Sequence, residues 1–269
     1  MRILFIGDIF GRPGRELVRR GLRALVDQHR VDLVIANAEN AAAGFGITRE
    51  IGDQLLDYGV DVMTSGNHVW DKKEALNYIG AETRLLRPAN YPAGVPGNGS
   101  CLARTADGRA VGVLNLMGRV FMLGIDDPFA CALREIEALK QRTRIIFVDF
   151  HAEATSEKIA MGWHLDGKVT AVVGTHTHVQ TADERILPKG TAYLTDVGMT
   201  GPHDSIIGVE IEPALGRFLT ALPARFEPAT ANPRLHAVVV EADDKTGLAT
   251  DIERLSYSLE EIGHMSGTS

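Results

Sequence analysis

The segment Gly174-Thr-His-Thr-His178 constrains this chain more than any other, because it places two histidines one residue apart directly after an apolar run. Residues 169–173 are rich in β-branched side chains and lead into a glycine, which is typical of a buried strand that stops at a loop. Two imidazoles on one short loop favour a metal centre. Taken alone, the pair fits two solvated or capping histidines equally well, so other residues are needed to distinguish the two interpretations.

Four further apolar runs, at residues 3–6, 31–36, 60–64 and 144–149, also lead into polar residues. They alternate with helical patterns, which predicts an α/β fold with a largely parallel sheet. A closing hairpin over residues 235–257 predicts antiparallel additions. In such sheets, ligands collect beyond the carboxyl ends of the strands. The polar residues at these five strand ends are Asp8, Glu39, Asn40, Asn67, His68, His151, His176 and His178.

Composition narrows the class of protein. The chain has 269 residues, 45% of them hydrophobic, and we find no linker, so we expect one domain with a frayed tail from about residue 258. A net charge of −7 argues against a long nucleic acid as partner, although a small anionic substrate remains compatible with it. Cys101 and Cys131 are too few for a disulfide framework, and no stretch predicts a membrane span. A cytoplasmic protein is expected.

The ligand types and their number predict two metal ions. Carboxylates, amides and imidazoles suit a mid-series divalent or trivalent metal, and neither cysteine follows a strand, which argues against a thiolate zinc site. Seven candidates, all of the strand-end residues except His68, are too many for one octahedral ion. Two ions that share a carboxylate could clamp a hydroxide and a phosphoryl oxygen together. His68 is then available as a general acid for the leaving oxygen.

Each of these residues also has a simpler interpretation. Asp8 could cap the helix that follows it, and Asn67 with His68 could cap a helix from residue 69. Glu39 could be a turn residue, and His151 could be a buried, hydrogen-bonded histidine. Capping does not account for polar residues at five successive strand ends, so the joint pattern favours the metal site.

The residues that carry this hypothesis resemble the motifs of the calcineurin-like metallophosphoesterases. Gly66-Asn-His68 and Gly174-Thr-His-Thr-His178 match two blocks of that superfamily, and His151 matches its isolated histidine. Two positions depart from the pattern. Phe10 stands where a metal-binding histidine is usual, and Glu39 stands in place of the bridging aspartate.

Both departures are similar to one bacterial branch, the YmdB-like 2′,3′-cyclic-nucleotide 2′-phosphodiesterases, and the likeness extends from residue 1 to about residue 257. Its long blocks include Gly7-Asp-Ile-Phe-Gly-Arg-Pro-Gly14 and Thr195-Asp-Val-Gly-Met-Thr-Gly201. The resemblance implies a four-layer αββα sandwich of mixed sheets and two ions of iron or manganese. It also implies one ion on Asp8, Glu39, Asn40 and His178, and a second ion on Glu39, Asn67, His151 and His176.

The implied reaction is hydrolysis of 2′,3′-cyclic nucleotides to 3′-nucleotides. A hydroxide between the two ions would attack phosphorus, and His68 would protonate the departing oxygen. Three alternatives stay open: a phosphomonoesterase or protein phosphatase, a non-catalytic metal-binding regulator, and a phosphodiesterase for short RNA ends. The expected partner is a small nucleotide rather than a membrane or a long nucleic acid. Formation of a homo-oligomer and the roles of Asp196 and His203 are left undecided.

Overall fold

The chain folds into two facing sheets with helices on both outer sides, as seen in a computed structural model that describes residues 1–265. In chain order the elements are β1 (Arg2–Ile6), α1 (Gly11–His29), β2 (Leu33–Asn37), α2 (Arg49–Asp57), β3 (Val62–Thr64), α3 (Ala75–Ala81), β4 (Ser100–Arg104), β5 (Ala110–Met117), α4 (Pro128–Lys140), β6 (Ile146–His151), α5 (Thr155–Leu165), β7 (Ala171–Thr175), β8 (Arg185–Ile186), β9 (Ala192–Leu194), β10 (Gly201–Pro202), α6 (Ile211–Thr220), β11 (Pro233–Ala242), β12 (Ala249–Ser258) and α7 (Leu259–Met265).

The first sheet contains the amino-terminal strands and the closing hairpin. β1, β2 and β3 run parallel, and β11 joins β1 in the antiparallel sense, with Ile3 opposite Val240. β12 pairs with the other side of β11, and the short β10 pairs with the beginning of β11. The predicted hairpin is therefore confirmed, and it extends a parallel sheet by antiparallel strands.

The second sheet has the strand order β4-β5-β6-β7-β9-β8. Its four central strands, β5, β6, β7 and β9, are parallel, and the two edge strands are antiparallel to their neighbours. Strands β5, β6 and β7 are largely hydrophobic because helices cover one face and the first sheet covers the other. Both sheets are thus mixed, as predicted.

Alternation along β1 shows why the sheets stack. Ile3 and Phe5 point into the core between the two sheets, where Phe5 stacks on Phe147 of β6 at 5.4 Å between ring centroids. Leu4 and Ile6 point the other way, into the core beneath α1, α2 and α7. Helices α4 and α5 cover the outer face of the second sheet. The four-layer αββα arrangement is therefore confirmed.

The helices are amphipathic, and three of them differ from the sequence-based expectation. α3 begins at Ala75 rather than at Val69, because the backbone after His68 is held in successive turns.

Residues 259–265 form α7 instead of a frayed tail, because Ile262 packs against Gly21 of α1. Residues 266–269 lie outside the described part. The sequence reasoning missed α6. Among residues 1–265, no helix is both long and apolar enough to cross a bilayer.

Candidate metal centre

The predicted strand ends of both sheets meet at one edge of the sandwich. β1, β2 and β3 of the first sheet and β6 and β7 of the second lead into loops that face each other there. We call the seven residues that meet at this edge the ligand cluster. Its members are Asp8, Glu39, Asn40, Asn67, His151, His176 and His178.

Three members of the ligand cluster converge on the ring of a fourth, His151. Its Nε2 atom lies 3.1 Å from Glu39 Oε1, 2.9 Å from Asn67 Oδ1 and 3.1 Å from His176 Nδ1. The ligand atoms of Glu39, His151 and His176 all lie within 4.8 Å of one another, close enough to share a metal ion. These four residues are the set that the resemblance implies for one ion.

The other implied set also adjoins Glu39. Asn40 Nδ2 is 3.2 Å from Glu39 Oε1 and 3.2 Å from His178 Nε2, and Asp8 Oδ1 is 3.8 Å from the same His178 nitrogen. A ligand role for Asn40 requires its amide to be rotated so that Oδ1 faces the cluster, since the nitrogen carries no free lone pair. Glu39 is thus adjacent to both sets, the position that a bridging carboxylate needs.

Each cluster histidine is anchored by the ring nitrogen that faces away from the cluster. His178 Nδ1 lies 2.8 Å from the carbonyl oxygen of Ile207, which can only accept, so this nitrogen carries the hydrogen. His176 Nε2 lies 3.0 Å from a carboxylate oxygen of Glu153, and His151 Nδ1 lies 3.0 Å from the hydroxyl of Thr175. When the nitrogen that faces away from the cluster donates its hydrogen, the other ring nitrogen faces the cluster and can bind a cation. The same arrangement fixes the histidine tautomer in known metal sites.

The anchor of His151 continues into a buried carboxylate between the sheets. The Thr175 hydroxyl donates to Asp149 Oδ1 at 2.7 Å, and the Thr64 hydroxyl donates to Asp149 Oδ2 at 2.5 Å. Burial raises the pKa of Asp149 to about 7, although both hydroxyl donors oppose the rise. Because the Thr175 hydroxyl hydrogen points to Asp149, the hydroxyl oxygen is available to accept the hydrogen of His151 Nδ1.

A second buried carboxylate supports the loop that carries the two remaining histidines. His176 and His178 have φ angles of 99° and 64°, a backbone region that costs non-glycine residues free energy. Asp196 accepts hydrogen bonds from the Thr177 amide and hydroxyl, at 3.2 and 2.7 Å, and pairs with Lys158 at 2.6 Å. Asp196, which the sequence left unassigned, thus holds the loop in its strained conformation.

Charge is concentrated at the centre of the ligand cluster. Burial opposes ionisation of Glu39, but the charge and hydrogen bond of His151 outweigh it and lower the pKa of Glu39 to about 2. Burial likewise lowers the pKa of His151, yet Glu39, Asp8 and Asp149 together raise it to about 9. Burial and the neighbouring His151 lower the pKa of His176 to about 3. A metal ion entering this site competes with a proton on His151.

The donors of the cluster fit a divalent cation. Asp8 Oδ1 is buried and has no hydrogen-bond partner among the described residues, as a carboxylate oxygen reserved for a metal would. Residue 66 has to be glycine, because a Cβ atom there would lie 2.2 Å from His151 Nε2 and 2.4 Å from Glu39 Oε2. The set contains oxygen and imidazole donors and no thiolate, which suits metals such as iron and manganese.

His68 lies beside the ligand cluster rather than within it. Its backbone amide donates to Glu39 Oε2 at 3.1 Å, and its Nδ1 lies 2.8 Å from a carboxylate oxygen of Asp71. The ring contacts Phe45 edge to face, at 5.1 Å between centroids, and its side chain is 29% exposed. The His68 ring thus lies at the rim of the ligand cluster. His203, also left unassigned, instead stacks edge-on against His236.

Glu39, Asn40, His176 and His178 of the ligand cluster line a cavity of about 680 Å³, and the sequence reasoning missed most of the apolar part of its lining. This apolar part comes in part from α6 and the loops on either side of it. The missed signal is the helical spacing of Ile211, Leu215, Phe218 and Leu219. We call six side chains of this apolar part the apolar wall: Phe45, Ile206, Ile207, Val209, Phe218 and Phe226.

Comparison with known proteins agrees with the fold. Residues 4–255 match the family model described as YmdB-like protein. The chain is 52% identical over 255 residues to the 2′,3′-cyclic-nucleotide 2′-phosphodiesterase of Bacillus subtilis, covering 95% of this chain and 96% of that one. Two crystal structures superpose on it. A hypothetical protein from Thermus thermophilus has a TM-score of 0.89, 44% identity and coverage of 96% and 99% of the two chains. A novel phosphatase from Mycoplasma pneumoniae has a TM-score of 0.90, 35% identity and coverage of 96% and 93%. From the αββα sandwich, the cluster at its edge and these matches, we conclude that the chain belongs to the YmdB-like family.

Proposed function

We propose that this protein hydrolyses 2′,3′-cyclic nucleotides at the bond between phosphorus and O2′ and releases 3′-nucleotides. The observation that carries the proposal is the convergence of three ligand-cluster residues on a fourth, His151, with contacts of 2.9–3.1 Å to its Nε2. The relative from Bacillus subtilis, which is 52% identical to this chain, is named for this activity.

The proposed cofactors are two ions, with iron or manganese as the preferred metals. The metallophosphoesterase type of the family implies divalent metal ions. When bound, the two ions would activate a water molecule and neutralise phosphoryl oxygens. One ion would be held by Asp8, Glu39, Asn40 and His178, and the other by Glu39, Asn67, His151 and His176.

His68 is the proposed general acid. It lines the same cavity as the ligand cluster, and donation of its Nδ1 hydrogen to Asp71 orients the ring. The Asp71 carboxylate also stabilises the positive charge of the protonated ring. Water adds to phosphorus and releases one proton to solvent, the bond from phosphorus to O2′ breaks, and O2′ takes its proton from His68 Nε2. The neutral ring can then accept a proton from solvent.

We further propose that the substrate is a free nucleotide and that the protein acts in the cytoplasm. The net charge of −7 disfavours a long polyanion, and the ligand cluster opens into a cavity rather than along a basic groove. Both cysteines are free, as is usual in a reducing compartment.

The test is hydrolysis of 2′,3′-cyclic AMP by protein reconstituted with manganese or iron, beside a phosphomonoester and a metal-stripped control. We expect metal-dependent formation of 3′-AMP and little cleavage of the monoester. Faster cleavage of the monoester would instead favour the phosphatase hypothesis. Two bound ions without hydrolysis of either ester would favour a regulator.

A further inference from the structure

A single cavity connects the ligand cluster with the apolar wall. Glu39, Asn40 and His176 line its polar part, and Phe45, Phe218 and Phe226 line its apolar part. Its volume of about 680 Å³ lies within the usual range for a small-molecule site, roughly 300–1,000 Å³. The chemistry of the ligand cluster does not account for the aromatic side chains in the apolar part.

We propose that the apolar wall binds the nucleobase of the substrate by stacking. The inference rests on the proposed function, because it assumes that the phosphate occupies the ligand cluster. A 2′,3′-cyclic nucleotide carries its charge at one end and a flat heterocycle at the other, separated by one ribose ring. With the phosphate at the ligand cluster, the base has to lie elsewhere in the same cavity, and the apolar wall offers flat faces to it.

Phe10 gives the cavity an apolar floor next to the ligand cluster. Its ring contacts His178 edge to face at 5.7 Å, and it packs with Met199 and with Val209 of the apolar wall. The loops around this ring approach it closely at glycines. A Cβ atom at Gly44 would lie 2.8 Å from the Phe10 ring, and one at Gly208 would lie 2.7 Å from it. Phe10 thus fixes the backbone on both sides of the proposed base site.

The chemistry of the wall predicts weak discrimination between bases. None of the six side chains of the apolar wall contains a polar atom, so they cannot read the hydrogen-bonding edge of a base. Arg217 of α6 lines the same cavity, and its guanidinium lies 5.5 Å from the centroid of the Phe226 ring. Stacking on aromatic and guanidinium planes accepts every base, because every base has a π-face.

Phe218 is the best residue for a test, because its side chain can be removed without harm to the core. It is 80% exposed, and α6 buries Ala214 rather than its phenylalanine. Phe121 provides a matched control. It is 89% exposed on the loop between β5 and α4, outside the cavity lining described above.

The experiment compares Phe218→Ala, Phe226→Ala and Phe121→Ala with the unsubstituted protein, all loaded with manganese. The substrates are 2′,3′-cyclic AMP, 2′,3′-cyclic CMP and a methyl riboside 2,3-cyclic phosphate, which has no base. In both cavity variants we expect KM for the nucleotides to rise about 5- to 150-fold, the range for loss of one stacking contact. We expect kcat and the values for the base-free ester to stay within about twofold, as should every value for Phe121→Ala.

Calorimetry gives a readout that does not depend on turnover. Both cavity variants should bind 3′-AMP more weakly by a similar factor and should bind inorganic phosphate unchanged. Equal effects on the nucleotide and the base-free ester, or no effect on either, would overturn the base site. If the unsubstituted protein cleaves both esters equally well, the base site is wrong although the proposed function stands. If it cleaves neither ester, both proposals fail.

Discussion

Every histidine of the ligand cluster is held by a hydrogen bond from outside the cluster, whereas the apolar wall takes Phe218 from a helix that buries only Ala214 and its other five side chains from loops. Behind His151, the chain of contacts reaches the buried carboxylate of Asp149 through Thr175. Phe218, by contrast, is 80% exposed on α6.

This difference follows from the interactions that the ligand cluster and the apolar wall have to make. A metal ion or a proton in transit requires donor atoms at defined distances and directions, and a small misplacement is costly. Stacking and apolar contact are weakly directional, so a wall that binds a base tolerates a loosely packed support. We therefore expect substitutions in the ligand cluster to change chemistry, and substitutions in the wall to change affinity alone.

The largest effect should come from Glu39→Gln, because Glu39 lies between both proposed ion sets. We expect both ions to be lost and activity to fall to the level of the metal-stripped protein. Mass spectrometry of the metal content and the rate with 2′,3′-cyclic AMP measure the two results. Glu50→Gln, an exposed glutamate on α2, is the control. A variant of Glu39 that retains one full ion would contradict its bridging position.

Next in size is His68→Ala. General acid catalysis contributes about 10²- to 10⁴-fold, so kcat should fall by this factor while both ions stay bound. A substrate whose leaving group needs no proton, such as a nitrophenyl diester, should lose far less activity. Loss of metal equal to that in Glu39→Gln would show that His68 supports the ion site instead of the leaving oxygen.

Thr175→Val tests whether the buried hydrogen bonds behind His151 contribute to metal affinity. It removes the hydroxyl between His151 and Asp149 and preserves the shape of the side chain. Loss of such an outer partner lowers metal affinity or activity by about 10- to 100-fold. Titration with Mn²⁺, followed by electron paramagnetic resonance, measures the affinity. Thr220→Val, at the exposed end of α6, should leave it unchanged. An unchanged Mn²⁺ affinity in Thr175→Val would mean that the hydrogen bond from His151 to Thr175 is not needed to position the ligand cluster.

The smallest expected effect is on the free energy of unfolding, and it tests whether the apolar wall contributes to stability. Phe218→Ala should change the free energy of unfolding by no more than about 0.5 kcal/mol, as usual for an exposed side chain. Phe147→Ala, in the core between the sheets, should cost about 3–5 kcal/mol. Urea denaturation of both variants compares them. A cost above about 2 kcal/mol for Phe218→Ala would show that the wall is an integral part of the core.

The sequence was sufficient to predict that the residues of the ligand cluster meet, because its signals are local. Each strand is an apolar run, the cluster residues lie at its end or within a few residues of it, and parallel strands carry their ends to one edge. Asp149 and Thr175 lie inside or at the end of such runs, and their role was not predicted. Which strand residues face a neighbour in the other sheet depends on how the two sheets are stacked, and this is not encoded in either run alone.

The elements that were missed depend on contacts distant in sequence. α7 forms because Ile262 finds the space left by Gly21, more than two hundred residues earlier. The turns after His68 are fixed by its bonds to Glu39 and Asp71, which a helical pattern does not reveal. The apolar face of α6 points toward the cavity and solvent. Its apolar side chains are therefore not packed in a buried core, unlike those of the other helices.

The segment that carries most of the apolar wall leaves the first sheet after β10 and returns to it at β11. Between Pro202 and Pro233, the chain therefore forms one continuous excursion attached at neighbouring points. Most of this excursion could be exchanged during evolution, with the exception of the backbone at Ile207, whose carbonyl oxygen anchors His178. A lineage could acquire a new substrate range by altering the remainder, and an engineer could graft a different segment there, while the strands that carry the ligand cluster keep their sequence.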